Sequence, residues 1–296
     1  MERLVSIVIA TYRRLETLER ALRSVANQTY HNIEVVLVDD NADPEWNIKV
    51  ANIVKEFSVQ NPAVLLQLLV NVENLGSAQT RNVGIRAANG EYVTFLDDDD
   101  WYLPEKIAHQ VTGMGNADYS LTDLQLYSES GKIIDERPRT YIKNNSPKSL
   151  LRCHLKYHMT GTDTMMFCRE YLLKIGGFPP IDVGDEFYLM KEAICGGGNF
   201  AYIQGCHVMA YIHMETDGLS CGDSKINGEK RIFAYKKQFF NQLDRVDRKY
   251  ICMRHYAVMA FAELRRKRYG AFLLYGVRSF FNSPYECIHI LTKGNN

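Results

Sequence analysis

The sequence predicts an α/β protein that opens on a parallel sheet and closes on a mainly helical extension. Three observations carry this expectation. Apolar runs of strand length at residues 5–10 (VSIVIA), 33–38 (IEVVLV), 64–70 (VLLQLLV) and 91–96 (EYVTFL) alternate with helix-period segments through the first hundred residues. That alternation is the pattern of parallel crossover units. Three loops at the strand ends carry polar or charged residues, and in open α/β sheets the ligand crevice lies outside the carboxyl ends of the strands. From residue 225 onward the chain reads as mostly helical.

In chain order, residues 5–10 form a nearly continuous apolar strand, so both of its faces should be covered. Leu15, Leu18, Leu22 and Val25 then recur at helical spacing with Glu16, Glu19, Arg20 and Arg23 between them, an amphipathic helix ending near Asn27. Residues 33–38 are a second buried strand that stops at Asp39 and Asp40. Residues 48–57 read as a helix and 64–70 as a third strand. Asn74-Leu75-Gly76-Ser77 opens a helical segment through Thr80, Arg81, Asn82, Ile85 and Ala88, with Gly90 expected to stop it. The fourth strand follows at once. Beyond it come a helix with Pro104 in its first turn, a hairpin of residues 119–127 and 132–134, and a short strand over 164–168. A short helix over 170–174, a turn at 176–180, a helix over 184–193 and one or two strands in 200–212 complete this part.

A chain of 296 residues can hold one large α/β domain and an appendage. Lys plus Arg and Asp plus Glu both number 35, yet from Lys225 to the end there are 15 basic and 5 acidic residues. The net of +10 there leaves −10 on residues 1–224, an acidic body with a basic tail suited to an anionic surface or polymer. Seven cysteines, odd in number and without a C-x-x-C pair, point to a reducing compartment. A charged helix follows too soon after the N-terminus for a signal peptide, and no apolar run approaches ~18 residues. The expectation is a cytoplasmic protein without a membrane span.

The fourth strand carries the strongest chemical signal. Its apolar residues run straight into Asp97-Asp98-Asp99-Asp100, followed by Trp101, Tyr102, Leu103 and Pro104. Adjacent carboxylates repel by roughly 1 kcal/mol per close pair in water and by more where solvent is excluded. A solvated acidic turn need not follow a buried strand. A hard divalent cation held by one or two carboxylates, with a ligand phosphate completing its shell, fits better. Asp97 and Asp99 share one side of an extended chain, and Asp100 is the next candidate.

With these residues the sequence resembles the family 2 glycosyltransferases, inverting nucleotide-diphospho-sugar transferases of the GT-A fold. The matching pieces are Ser6-Ile7-Val8-Ile9-Ala10-Thr11-Tyr12, Val38-Asp39-Asp40, Asn74-Leu75-Gly76 with Arg81-Asn82-Val83-Gly84, and the stretch from Gly90 to Asp100 with Pro104 and Lys106. Gly176-Gly177-Phe178, Asp185-Glu186 and His213 continue the family order, so the resemblance covers roughly residues 3–220. It implies a GT-A domain over 1–224, with a nucleotide-binding half in 1–100 and an acceptor and catalytic half in 101–224, and a separate extension over 225–296.

The resemblance also implies roles. Asp39 would meet a uracil N–H, with Thr11, Tyr12 and Arg14 as the opposite wall and Asp40 beside it. Gly76 would let the backbone approach the nucleotide, and the planar fork of Arg81 would suit a phosphate or a base carbonyl. Asp97 or Asp98 would hold the ribose or donor sugar. Asp99, with Asp97 and His213, would hold Mn2+ or Mg2+ on the diphosphate. Family members take their base from a Glu-Asp pair at a helix start, whereas this chain has Asp185-Glu186, the reverse order. Register favours Glu186 and residue type favours Asp185; Glu186 is the first choice. Trp101, Gly161 and Thr162 are acceptor candidates, and Lys225 and Lys230 could add phosphate contacts.

The expected reaction moves a sugar, with UDP as the first choice of carrier, to a hydroxyl of a glycan, a lipid-linked acceptor or a polyol-phosphate polymer. A sugar-nucleotide nucleotidyltransferase would share the architecture, but it needs a Gly-rich, Lys-containing loop that Thr11-Tyr12-Arg13-Arg14 does not supply. A catalytically silent GT-A binding module is the other alternative, kept open by the reversed Asp185-Glu186 order. In the tail, Arg265-Arg266-Lys267-Arg268 precedes an aromatic and aliphatic segment, and such a helix can lie on the inner face of the plasma membrane, each cation contributing ~1 kcal/mol. Packing on the catalytic body or on a second subunit is the competing expectation, which leaves a homo-oligomer open. No nucleic-acid motif accompanies the charge.

Overall fold

A computed structural model describes residues 2–128, 131–181, 183–211 and 222–293. The chain divides into two compact units, Met1–Leu151 with Met159–Met214, and Arg152–His158 with Glu215–Asn296.

The first unit begins with the alternation expected from sequence: β1 (Val5–Thr11), α1 (Glu16–Ala26), β2 (Ile33–Asp39), α2 (Pro44–Gln60), β3 (Leu65–Val70), α3 (Ser77–Ala87) and β4 (Tyr92–Phe95). β2 pairs in parallel with β1 and β3, and β4 pairs in parallel with β1 on its other side. The chain continues through β5 (Trp101–Tyr102), α4 (Lys106–Met114), β6 (Tyr119–Tyr127), β7 (Ile133–Arg137), α5 (Pro147–Tyr157), β8 (Met165–Cys168), α6 (Arg169–Lys174), α7 (Asp185–Cys195) and β9 (Phe200–Tyr211). Among the described residues these strands make one mixed sheet in the order β3-β2-β1-β4-β8-β6-β9-β5, with β7 on β6. Both β8 pairings are antiparallel, so the direction of the sheet reverses next to β4, where the acidic run begins.

β1 and β2 are apolar on both faces because both faces are covered. Ile7, Ile9, Val35 and Leu37 pack with Leu18, Leu22 and Val25 of α1 and with Val50 and Phe57 of α2. On the opposite face α3 lies so close that a Cβ at Gly84 would stand 2.4 Å from Val8 Cγ1. Gly84→Val is therefore expected to cost about 1–3 kcal/mol in urea unfolding, since overpacking this contact outweighs the few tenths of a kcal/mol of helix propensity, roughly, that valine gains over glycine.

The structure moves two expected boundaries. α2 starts at Pro44, before the expected residue 48, because the Asp43 side chain accepts from Glu45 N (3.0 Å) and caps it. α3 ends at Ala87 with Ala88 already extended, so Gly90 is not its stop. A Cβ on Gly90 would lie 2.6 Å from the Ser6 backbone nitrogen, and close approach of β1 is what requires glycine there.

The second unit contains α8 (Gly222–Lys237), α9 (Arg245–Arg265), α10 (Tyr269–Asn282) and α11 (Pro284–Lys293). Asp244 caps α9 by accepting from Asp247 N (2.8 Å), and the buried Asp247 carboxylate is paired with Arg152 and with Lys156 (2.7 Å). Among the described residues no helix is long and apolar enough to cross a membrane.

Candidate active site

The parallel strands deliver their C-terminal residues to one end of the sheet, and there the sequence-nominated side chains meet. At the end of β1, Thr11 Oγ1 donates to Asp98 Oδ2 (2.8 Å) and Tyr12 N to the same oxygen (3.3 Å). Arg14 Nη1 reaches Asp98 Oδ1 (3.0 Å) and Asp99 Oδ2 (2.5 Å). Burial pushes the Asp98 carboxyl up to about 6, against the pull of the Arg14 guanidinium.

The two carboxylates ending β2 hold the neighbouring loops. Asp39 is wholly buried and accepts from Asn41 N (2.9 Å) and Asn41 Nδ2 (2.6 Å). Asp40 accepts from Leu75 N (2.8 Å), Gly76 N (3.0 Å) and Asn71 Nδ2 (2.8 Å). Gly76 turns into α3 at φ +76°, a left-handed angle that glycine adopts at no steric cost.

Arg81 connects the two halves of the site. Its Nη2 meets Asp97 Oδ1 (2.5 Å) and its Nη1 meets Asp185 Oδ2 (2.8 Å), with the Phe178 ring 5.4 Å from the guanidinium carbon. The next residue, Asn82, exchanges hydrogen bonds with the Phe178 backbone in both directions (2.7 and 2.9 Å), pinning the Gly177-Phe178 turn. Surrounding carboxylates raise the Arg81 pKa despite its burial, so the fork stays charged.

Asp185 and Glu186 occupy the first turn of α7, entered through Gly184 at φ +79°. Asp185 is buried against Arg81, and half-buried Glu186 is hydrogen-bonded to it. Burial pushes Asp185 up to about 7, and burial likewise raises Glu186 above the ordinary glutamate range.

A further carboxylate joins the acidic run from the turn before β8, which the sequence left unconnected to it. The β4–β8 pairing sets Thr94 opposite Met166, and three residues farther the same register sets Asp97 opposite Asp163. Asp163 Oδ1 accepts from Asp97 N (2.9 Å), and one ligand oxygen each from Asp97, Asp100 and Asp163 lie within 4.8 Å of one another. That spacing suits a hard cation with oxygen ligands at about 2.0–2.6 Å, so the donor set fits Mg2+ or Mn2+. Burial and the neighbouring carboxylates raise Asp163 to about 7, and they raise Asp100 well above the ordinary carboxylate range. Asp100 Oδ1 also accepts from Tyr211 N (2.8 Å), tying β9 to the cluster.

The nominated ligands thus separate. Asp97 belongs to the geometric cluster, Asp99 faces Arg14, and His213 lies outside the described residues. Gly161 and Thr162 open the short turn that presents Asp163, with Thr164 N donating to Gly161 O (3.0 Å). Trp101 is half-buried beneath the Arg20 guanidinium (4.3 Å) and beside Tyr127 (5.4 Å between ring centroids). Lys106 is fully buried, donates to Thr94 Oγ1 (2.6 Å) and is driven well below the ordinary lysine range by burial. The α8 side chain of Lys230 is exposed, and that of Lys225 lies outside the described residues.

A family model described as glycosyl transferase family 2 matches residues 6–176, from β1 to the turn after α6. An uncharacterized glycosyltransferase of Methanocaldococcus jannaschii is 32% identical over 177 residues, 58% of this chain and 58% of its own. The Escherichia coli UDP-Glc:alpha-D-GlcNAc-diphosphoundecaprenol beta-1,3-glucosyltransferase WfaP is 30% identical over 183 residues, 62% of this chain and 67% of its own. The match to the archaeal relative therefore spans less than two thirds of that protein. Residues 1–349 of Staphylococcus aureus TarS, solved with UDP-GlcNAc, share the fold at a TM-score of 0.63 and 17% identity over 95% of this chain and 92% of that one. With more than half of its length matched by the family model, and with a mixed sheet like that of the solved GT-A enzyme, the chain belongs to glycosyl transferase family 2.

Proposed function

We propose that the chain transfers a sugar, with inversion, from a UDP-linked donor to a hydroxyl of a lipid-linked or polymeric glycan acceptor. The observation that carries this reading is the Arg81 bridge between Asp97 in the acidic run and Asp185 beside Glu186. One guanidinium fixes the carboxylates suited to a diphosphate and its cation against the carboxylates suited to a base. The activity for which the E. coli relative is named, from UDP-Glc to a diphosphoundecaprenol-linked sugar, and the UDP-GlcNAc bound to TarS support the choice of donor and acceptor class.

In this mechanism Asp39, Thr11, Tyr12 and Arg14 line the base and ribose pocket, with Asp40 and Gly76 shaping its floor. Asp97 would hold Mn2+ or Mg2+ together with Asp99 or with Asp100 and Asp163, and the ion, when bound, neutralises charge developing on the departing diphosphate. Glu186 accepts the proton of the acceptor hydroxyl as its oxygen attacks the anomeric carbon from the face opposite the leaving group. The bond between that carbon and the diphosphate oxygen breaks, leaving UDP. Asp185, held by Arg81, orients Glu186.

Calorimetric titration with UDP, GDP, CDP and dTDP, each with Mn2+ and with chelator, tests the donor class. Metal-dependent binding of UDP is expected, with at least a roughly tenfold loss in Asp97→Asn. Comparing Asp99→Asn with Asp163→Asn separates the two ligand sets, since the variant that removes a ligand also abolishes the Mn2+ dependence. Metal-dependent binding of GDP in place of UDP would overturn the donor assignment.

Glu186 acts as base only when ionised, and burial raises its pKa. Its base form is lost as pH falls through that raised value, so kcat is expected to decline on the acid side while the pH is still above the ordinary glutamate range. A pH–rate profile flat down to that range would remove Glu186 from the role.

A further inference from the structure

α10 is amphipathic in the reverse of the usual sense. A surface helix ordinarily buries its apolar stripe, yet here the inward side carries Ser279, buried with its Oγ donating to Met253 O of α9 (2.9 Å), and Tyr275, whose ring faces Tyr256. The outward arc carries the large apolar groups. Leu273 is 63% exposed, Val277 54% and Phe281 75%, with Leu274 and Phe280 also exposed. Tyr269, Leu273, Val277 and Phe280 follow one another at helical spacing along this stripe. Tyr285 and Ile288 extend the exposed apolar surface on α11.

Cations border this face. The α9–α10 turn presents exposed Arg265, Lys267 and Arg268, with Lys267 in a left-handed conformation at φ +59°, and exposed Arg278 lies in α10 itself. Glu263, the acid nearest the turn, is buried and pairs with Arg266 and Arg268 at 3.7 and 3.8 Å.

We propose that the α10 face is a docking surface for a bilayer containing anionic phospholipid, with Leu273, Val277 and Phe281 entering the headgroup–acyl boundary and the bordering arginines and lysine meeting lipid phosphates. Charge complementarity selects this occupant. A second copy laid face to face would set the basic segment, +10 over residues 225–296, against itself, whereas an anionic lipid surface neutralises it. At 14 residues, α10 lies in the interface and does not cross the bilayer. The proposal goes beyond the transfer reaction and does not rest on it.

Flotation of the full chain with vesicles of phosphatidylglycerol and phosphatidylethanolamine, against vesicles of phosphatidylcholine alone, is the test. Binding is expected on the anionic vesicles, weakened at least roughly tenfold on phosphatidylcholine or in about 0.5 M salt. The double variant Leu273→Ser with Phe281→Ser is expected to lose at least roughly tenfold in vesicle binding, with circular dichroism and UDP affinity unchanged. Three results would each overturn the proposal: no flotation of the wild type, flotation of the variant equal to it, or a concentration-dependent dimer that the variant dissolves. UDP affinity measured on the same preparations keeps a failure here distinct from a failure of the donor reading.

Discussion

Glu186→Gln is expected to lower kcat by more than about 100-fold while the affinity for UDP stays unchanged. Glutamine keeps the size and shape of the side chain and removes its negative charge and its capacity to take a proton. Glu186 lies in the first turn of α7, half-buried and hydrogen-bonded to Asp185, so the exchange leaves the packing intact. Asp185→Asn is the comparison that matters. Asp185 is committed to Arg81 through Oδ2 at 2.8 Å, and its amide variant is expected to weaken the positioning of Arg81 and to disturb both kcat and KM. If Asp185→Asn gives the pure kcat loss and Glu186→Gln retains turnover, the two roles are exchanged.

Arg81→Ala is expected to destabilise the protein by about 3–5 kcal/mol and to abolish transfer, because it leaves Asp97 and Asp185 without the guanidinium they share. Arg81 and Asp185 are buried, so bulk solvent does little to screen that pair, whereas Asp97 is half-buried. Urea unfolding and kcat/KM read the two consequences separately. Arg81→Lys retains the charge but not the fork, and one ammonium cannot meet both carboxylates in the arginine geometry. It is therefore expected to recover part of the stability and little of the turnover, with kcat/KM at least about 100-fold below wild type. Wild-type turnover in Arg81→Lys would mean that charge alone serves at this position.

The parallel half of the sheet was legible because its strands announce themselves locally. Residues 5–10 and 33–38 are apolar runs interrupted only by Ser6 and Glu34, the pattern of strands covered on both faces, and they became β1 and β2, buried except for the half-buried Ala10. The hairpin of β6 and β7 was legible from its turn. What escaped depends on register between distant segments. Asp163 sits in an ordinary-looking Gly-Thr-Asp-Thr turn, and only the antiparallel pairing of β4 with β8 brings it opposite Asp97. The two-residue β5 is set by pairing Trp101 and Tyr102 with Met209 and Val208, which no local period encodes. Arg81 was singled out for its fork, but its partners, 16 and 104 residues away, emerged from the fold.

The most direct test of sugar transfer at this site is UDP release from UDP-glucose and UDP-N-acetylglucosamine, with Mn2+, in the presence and absence of a diphosphoundecaprenol-linked sugar acceptor. Release that requires the metal, is stimulated by acceptor, and falls by more than about 100-fold in Glu186→Gln is the expected result. Tight, metal-dependent UDP binding with neither hydrolysis nor transfer across the donor panel would contradict it and leave a sugar-nucleotide-binding protein on a transferase fold.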